Sequence, residues 1–167
     1  MGWLDSKKVF WISLFVFAVT QTFILSILLR VANSIELIHQ QTTFSPDVFQ
    51  GFFEIWGDEK KQLFLSHYYL DFIHPLVYFV LLGSSLKRLG VFSNFNWILT
   101  LPFLTAFFDE LENIIQLPIL LGWLSSRSWL FYIGALSSNL KWIFAILSLL
   151  FILIGIFKKN PNRNSRS

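Results

Sequence analysis

The chain contains no cysteine in 167 residues. Disulfides, thiolate metal ligands and cysteine nucleophiles are excluded together. Charge is scarce as well: Asp, Glu, Lys and Arg make up 14% of the chain, against about 25% in ordinary globular domains. The net charge of +3 is too small, and too concentrated in the tail KKNPNRNSRS, to read as a nucleic-acid surface. No serine sits in a GxSxG context, so acyl-enzyme chemistry lacks its motif. No cofactor fingerprint, internal repeat, low-complexity tract or domain boundary is visible, and residues 1–167 read as one domain.

Apolar side chains fill the space that charge leaves. The sequence is 54% hydrophobic and 19% aromatic, with 20 phenylalanines. A soluble domain of this length has too little interior for that much apolar surface. In a bilayer the outside of the protein is solvated by lipid, and helices satisfy their own backbone groups. The expected fold is all-α, an integral membrane four-helix bundle. Its spans run over about 9–29, 63–86, 95–121 and 129–157, followed by a flexible tail from 158 to 167. Lys7 and Lys8 before the first run resemble a signal-peptide n-region, and 32–34 a weak cleavage site. The run is longer than a usual h-region and contains Gln21, which favours a retained anchor.

Lysine and arginine set the expected orientation. Lys7, Lys8, Lys87, Arg88, Lys158, Lys159, Arg163 and Arg166 fall on one side of a four-span chain. Arg30, Lys60, Lys61 and Arg127 fall on the other, among Glu36, Asp47, Glu54, Asp58 and Glu59. Both termini are expected in the cytoplasm. The first connection is long. Ser45-Pro46 is a helix start, with Asp47 complementing the dipole. Val48, Phe49, Phe52, Phe53 and Trp56 line one side up to Gly57. This predicts a short amphipathic helix between spans 1 and 2, lying at the interface or lidding the bundle. Asp58 is placed to cap the helix that follows. Trp3, Trp11, Trp97, Trp123 and Trp129, near span ends, read as interfacial anchors.

The second span carries HYYLDFIHPLVY. On a continuous helix, at about 100° per residue, His67, Asp71, His74 and Tyr78 form one stripe that Ser85 continues. In the third span, TAFFDELENIIQ puts Thr105, Asp109, Glu112 and Gln116 on one face, with Asn113 at its edge and Glu110 pointing away. The fourth brings Ser137, Ser138, Asn139 and Lys141 to similar depth, and the first Thr20, Gln21 and Thr22. An ionised residue at mid-membrane costs about 2.5–3.5 kcal/mol on insertion scales. Asp71, Asp109, Glu110 and Glu112 therefore need partners, protons, water or a cation. Lys141, His67, His74 and Arg30 are the available cations.

Four readings follow. The polar groups can act as glue between helices, helped by the close-contact pair Gly134 and Ser138, and by partners for groups that Pro75, Pro102 and Pro118 set free. They can line an outer-half site for a small amphiphilic or lipid ligand, either bound only or bound and processed. There, His74 and Asp71 would be a base and its orienter, and Glu112 or Asp109 the acid. His67, Tyr78, Asn113, Gln116, Lys141 and Gln21 would line it. They can carry protons or cations, with homo-oligomerisation supplying the path that one four-helix chain lacks. The i, i+3 pairs Asp71/His74 and Asp109/Glu112 can hold a metal, although such spacing is common and no metal or cofactor is assigned. The ligand reading is carried forward, with the bilayer and a lipid-like molecule as partners and no nucleic acid.

Overall fold

The structure, a computed structural model, describes residues 2–90 and 96–159. Among these residues there are helices and no strands. A short 3-10 turn, Gly2–Asp5, leads into α1 (Lys7–Val31). There follow α2 (Ser34–Thr42), α3 (Pro46–Ser66), the single turn α4 (Tyr68–Asp71) and α5 (His74–Leu89). A second 3-10 turn, Asn96–Leu99, then enters α6 (Thr100–Leu120), and α7 (Trp129–Lys159) completes the bundle.

Among the described residues, two helices are long and apolar enough to cross a membrane, α1 and α7. In each, only 17% of the apolar window is buried, so these greasy surfaces lie outside the bundle. Trp11, Phe15 and Phe23 on α1 are more than half exposed, as are Ile143 and Ile146 on α7. A third crossing is made if Pro46–Asp71 and His74–Leu89 count as one bent unit, with a bend of 48°.

The expected second span over 63–86 is therefore not one continuous helix, and the reason is local. Proline at 75 has no N–H to give the carbonyl four residues earlier, and its ring crowds that carbonyl. The carbonyl is that of Asp71. The chain breaks at Phe72 and Ile73, and α5 restarts with Pro75 in its first turn. The released Asp71 carbonyl accepts a hydrogen bond from Asn113 Nδ2 on α6, at 3.3 Å. Pro102, in the first turn of α6, frees no such group.

The helix start at Ser45-Pro46 forms as expected, with Ser45 Oγ accepting from the Val48 N–H at 3.3 Å. The break at Gly57 is also present: φ is +73° there, while helix resumes directly beyond it. Asp58 makes no capping hydrogen bond, because the two stretches follow with no gap for a cap. The first half of α3 packs into the bundle through Phe49, Phe53 and Trp56. These join Phe64, Tyr68, Phe131, Ile119 and Leu120 in an aromatic core. Gln50 donates to Ser126 at 2.5 Å, tying α3 to the connection between α6 and α7.

The most extensive helix pairing is α6 with α7, and α5 packs against α1, α6 and α7. Gly134 sets the first: a Cβ there would lie 3.0 Å from Ile115 Cγ2. At the far end of α7, a Cβ on Gly155 would meet Leu89 at 2.7 Å. A second core, with Leu86, Ile98, Leu101, Phe144, Leu147 and Phe151, fills that end. The third span's expected start at Phe95 and the tail from Asn160 lie outside the described residues. Lys158 and Lys159 belong to α7 rather than to the tail.

Candidate functional site

Helix α6 builds one wall of a polar cluster from a single face. Asp109 and Glu112, three residues apart, point the same way, and Gln116 lies a turn beyond Glu112. Lys141 of α7 reaches between the two acids. Its Nζ is 2.6 Å from Asp109 Oδ1 and 2.5 Å from Glu112 Oε2. The first contact is a charge-assisted hydrogen bond. The second is an ion pair without hydrogen-bond alignment at that oxygen. Gln116 Nε2 donates to Glu112 Oε1 at 3.1 Å. Tyr78 of α5 donates its hydroxyl to Asp109 Oδ2 at 2.9 Å, with the Thr105 carbonyl at 3.2 Å as a second acceptor. Three helices are thus cross-linked through one ammonium and two carboxylates, all buried.

The other half of the cluster comes from the broken segment. His67 is buried, and its Nδ1 bonds the Phe64 carbonyl. A carbonyl only accepts, so Nδ1 carries the proton. Nε2 then faces Asp71 Oδ2 at 3.8 Å, beyond hydrogen-bonding distance. Asn113 completes the junction through the Asp71 carbonyl.

His74 bonds a different helix. Where the helix restarts at residue 74, this side chain reaches α1. Its Nε2 is 2.9 Å from Gln21 Oε1 and its Nδ1 2.8 Å from Thr20 Oγ1. The ring stacks on Phe17 at 5.1 Å between centroids. With both nitrogens engaged by α1, His74 and Asp71 do not form a hydrogen-bonded base and orienter. Gln21 serves the same junction. Ser85 and Ser137 bond their own helix carbonyls, Asn139 reaches the Thr42 carbonyl of α2, and Arg30 stands exposed at the end of α1. The structure therefore gathers Tyr78, Asp109, Glu112, Gln116 and Lys141, sets His67, Asp71 and Asn113 beside them, and ties His74 to Gln21 on α1, with the His74 ring edge-on to that of Tyr78 at 5.6 Å.

Tyr68 joins the cluster without having been singled out in the sequence. It is buried, its hydroxyl 3.5 Å from Gln116 Oε1. Its position next to His67, a third of a helical turn off the stripe, hid it. No group of three His, Asp or Glu residues among the described ones is arranged to hold a metal. Lys141 occupies the space between Asp109 and Glu112 that a cation would need. Toward the other end, the apolar second core closes the bundle.

Open space lies elsewhere. A cavity of about 600 Å³ opens to the surface between the first half of α3 and the end of α6. Phe49, Phe53, Ile119 and Leu120 give it an apolar wall, and Gln50, Glu54, Asp58 and Lys61 a polar rim. Gly57, where α3 breaks, is part of its lining together with Asp58 and Lys61. The size falls within the range of small-molecule sites.

These features define an all-α chain with two or three helices able to cross a membrane and a buried, internally bonded ionic cluster. No family model matches the chain, and no curated protein or solved structure matches it.

Proposed function

We propose that the chain is a four-span membrane protein that binds a small amphiphile of the lipid class in the groove between α3 and α6. The spans are α1, the bent segment ending in α5, then α6 and α7. Helix α6 joins this set on length, since its 21 residues cover about 30 Å. Its acids argue against insertion only until Lys141 is counted, because two of the three are paired within the bundle. Both termini lie in the cytoplasm, following the lysine and arginine distribution. The first half of α3 then lies at the outer interface as a lid.

The observation that carries the ligand reading is the groove. An apolar wall meets a charged rim where hydrocarbon gives way to head groups. An acyl chain fits against Phe49, Phe53, Ile119 and Leu120, with its polar head at Glu54, Asp58 and Lys61. The cluster behind it is the frame that fixes α6. Catalysis by His74, Asp71, Asp109 and Glu112 would require these side chains to leave their present partners.

The test is extraction of the protein in mild detergent and mass spectrometry of the lipid that remains bound. Lys61→Glu, which reverses the cation on the groove's polar rim, is expected to reduce a specific bound amphiphile while the melting temperature holds. An identical lipid complement in parent and variant would sink the proposal.

The bridging position of Lys141 favours a second reading, in which the polar groups only hold helices together and the protein is a structural or interaction component. Asp71→Asn, His74→Ala and Glu112→Gln test the cluster as glue, and Glu54→Gln with Asp58→Asn, on the exposed rim of the groove, test the site. Equal loss of folding in detergent by the first three supports glue. Retained folding with altered bound lipid in the rim variant supports a site.

A further inference from the structure

Glu110 is the acid in α6 that the cluster leaves out. It has no hydrogen bond or ion pair among the described residues, and it is partly exposed. It lies on the face of α6 opposite Lys141, in a stripe with Phe103, Phe107 and Ile114, each about half exposed. The same helix turn that neutralises Asp109 and Glu112 thus turns a third carboxyl outward, at the middle of the helix. Neither end of α6 is near enough for this short side chain to reach water.

We propose that this face of α6 is the seam of a dimer formed with a second copy of the chain. The proposal rests on the membrane reading. In hydrocarbon a lone carboxyl is costly, and a partner that brings a donor to the same depth relieves that cost. Two copies inserted with the same orientation are related by a two-fold axis along the membrane normal. Every residue then lies at the depth of its own counterpart, so Glu110 meets Glu110 of the other copy by symmetry. A carboxylic acid both donates and accepts, and two such side chains bond one another with no third group. A different partner would have to place its donor at this level independently. The flanking phenylalanines and Ile114 supply the apolar contact on either side.

The absence of native cysteine makes the test direct. Full-length chain carrying Ile114→Cys is reconstituted in lipid vesicles and oxidised. A disulfide-linked dimer is expected. Adding Glu110→Leu should abolish the linked band while helicity and melting stay close to the parent, and Glu110→Gln should keep it, since an amide also donates and accepts. Ile143→Cys, on the exposed face of α7, should give no dimer. Equal cross-linking with Glu110→Leu, or no cross-linking at Ile114→Cys, overturns the seam. Recovery of the parent from cells without detergent would overturn the membrane reading itself. A monomer that requires detergent overturns the seam alone.

Discussion

Removing the Lys141 ammonium would leave Asp109 and Glu112 facing each other inside the bundle without a counter-charge. Deleting one partner of a buried pair typically costs about 3–5 kcal/mol, because the remaining charge keeps its desolvation penalty. Lys141→Met is expected to lose that much, measured by unfolding in mixed micelles. Tyr78→Phe removes one neutral donor to a carboxylate and should cost about 1.5–3 kcal/mol. Equal effects from the two substitutions would argue against Lys141 as the central tie. At this scale the sequence was informative on α6: the spacing of Thr105, Asp109, Glu112 and Gln116 puts them on one buried face, and Lys141 is the cation that reaches it. It was less informative where backbone conformation intervened. His74 sits at the spacing that would face Asp71 on an ideal helix, yet bonds Thr20 and Gln21 across the bundle. Spacing measures angle only while the helix continues.

Two helix breaks decide how the elements meet. Pro75 ends one helix and begins another, and the carbonyl it releases is met by Asn113. Asn113→Leu should cost about 1–3 kcal/mol, the penalty for a buried carbonyl left without a donor. Pro75→Ala in the same background should recover part of the loss, since an alanine N–H at 75 can serve the Asp71 carbonyl. An additive double substitution, read by the same unfolding assay, would separate the proline from the asparagine and refute the link. Proline signalled a disturbance in the sequence, but proline inside a membrane helix is often absorbed as a kink, and nothing local reveals that a side chain 42 positions along the chain completes the break. Gly57 was more legible. A glycine after an amphipathic run reads as a stop, and its left-handed φ follows. With ψ at 174° the position falls in a region essentially reserved to glycine, and Gly57→Ala should cost about 1–3 kcal/mol. No neighbour lies within 4 Å of the added atom, so the strain is in the backbone alone. The helix that resumes beyond it was expected too, from Asp58; what the pattern could not convey is the groove left on the bend.

For the molecule as a whole, composition carried most of the fold: helices throughout the described residues, with apolar faces turned outward on α1 and α7. Orientation depends on where charge falls at the two ends. Lys7 and Lys8 open α1, and Lys87 and Arg88 close α5, which packs against both α1 and the N-terminal turn; Ser84 donates to the Leu4 carbonyl at 2.9 Å. These cations therefore gather at one end of the bundle. The acidic residues Glu54, Asp58 and Glu59 sit at the other, around the groove. Moving the basic end across a bilayer would oppose the bias that retains lysine and arginine in the cytoplasm. In the cysteine-free chain, Lys8→Cys and Glu59→Cys each create a single exposed thiol, and a membrane-impermeant maleimide applied to intact cells reads their side. Glu59→Cys should label before lysis and Lys8→Cys only after it. The reverse pattern would invert the protein and put the groove in the cytoplasmic leaflet, where its charged rim would meet a different set of head groups. Labelling of both thiols in intact cells would mean that the two ends of the bundle are not separated by a membrane, and the exposed faces of α1 and α7 would then have to be covered by protein rather than lipid.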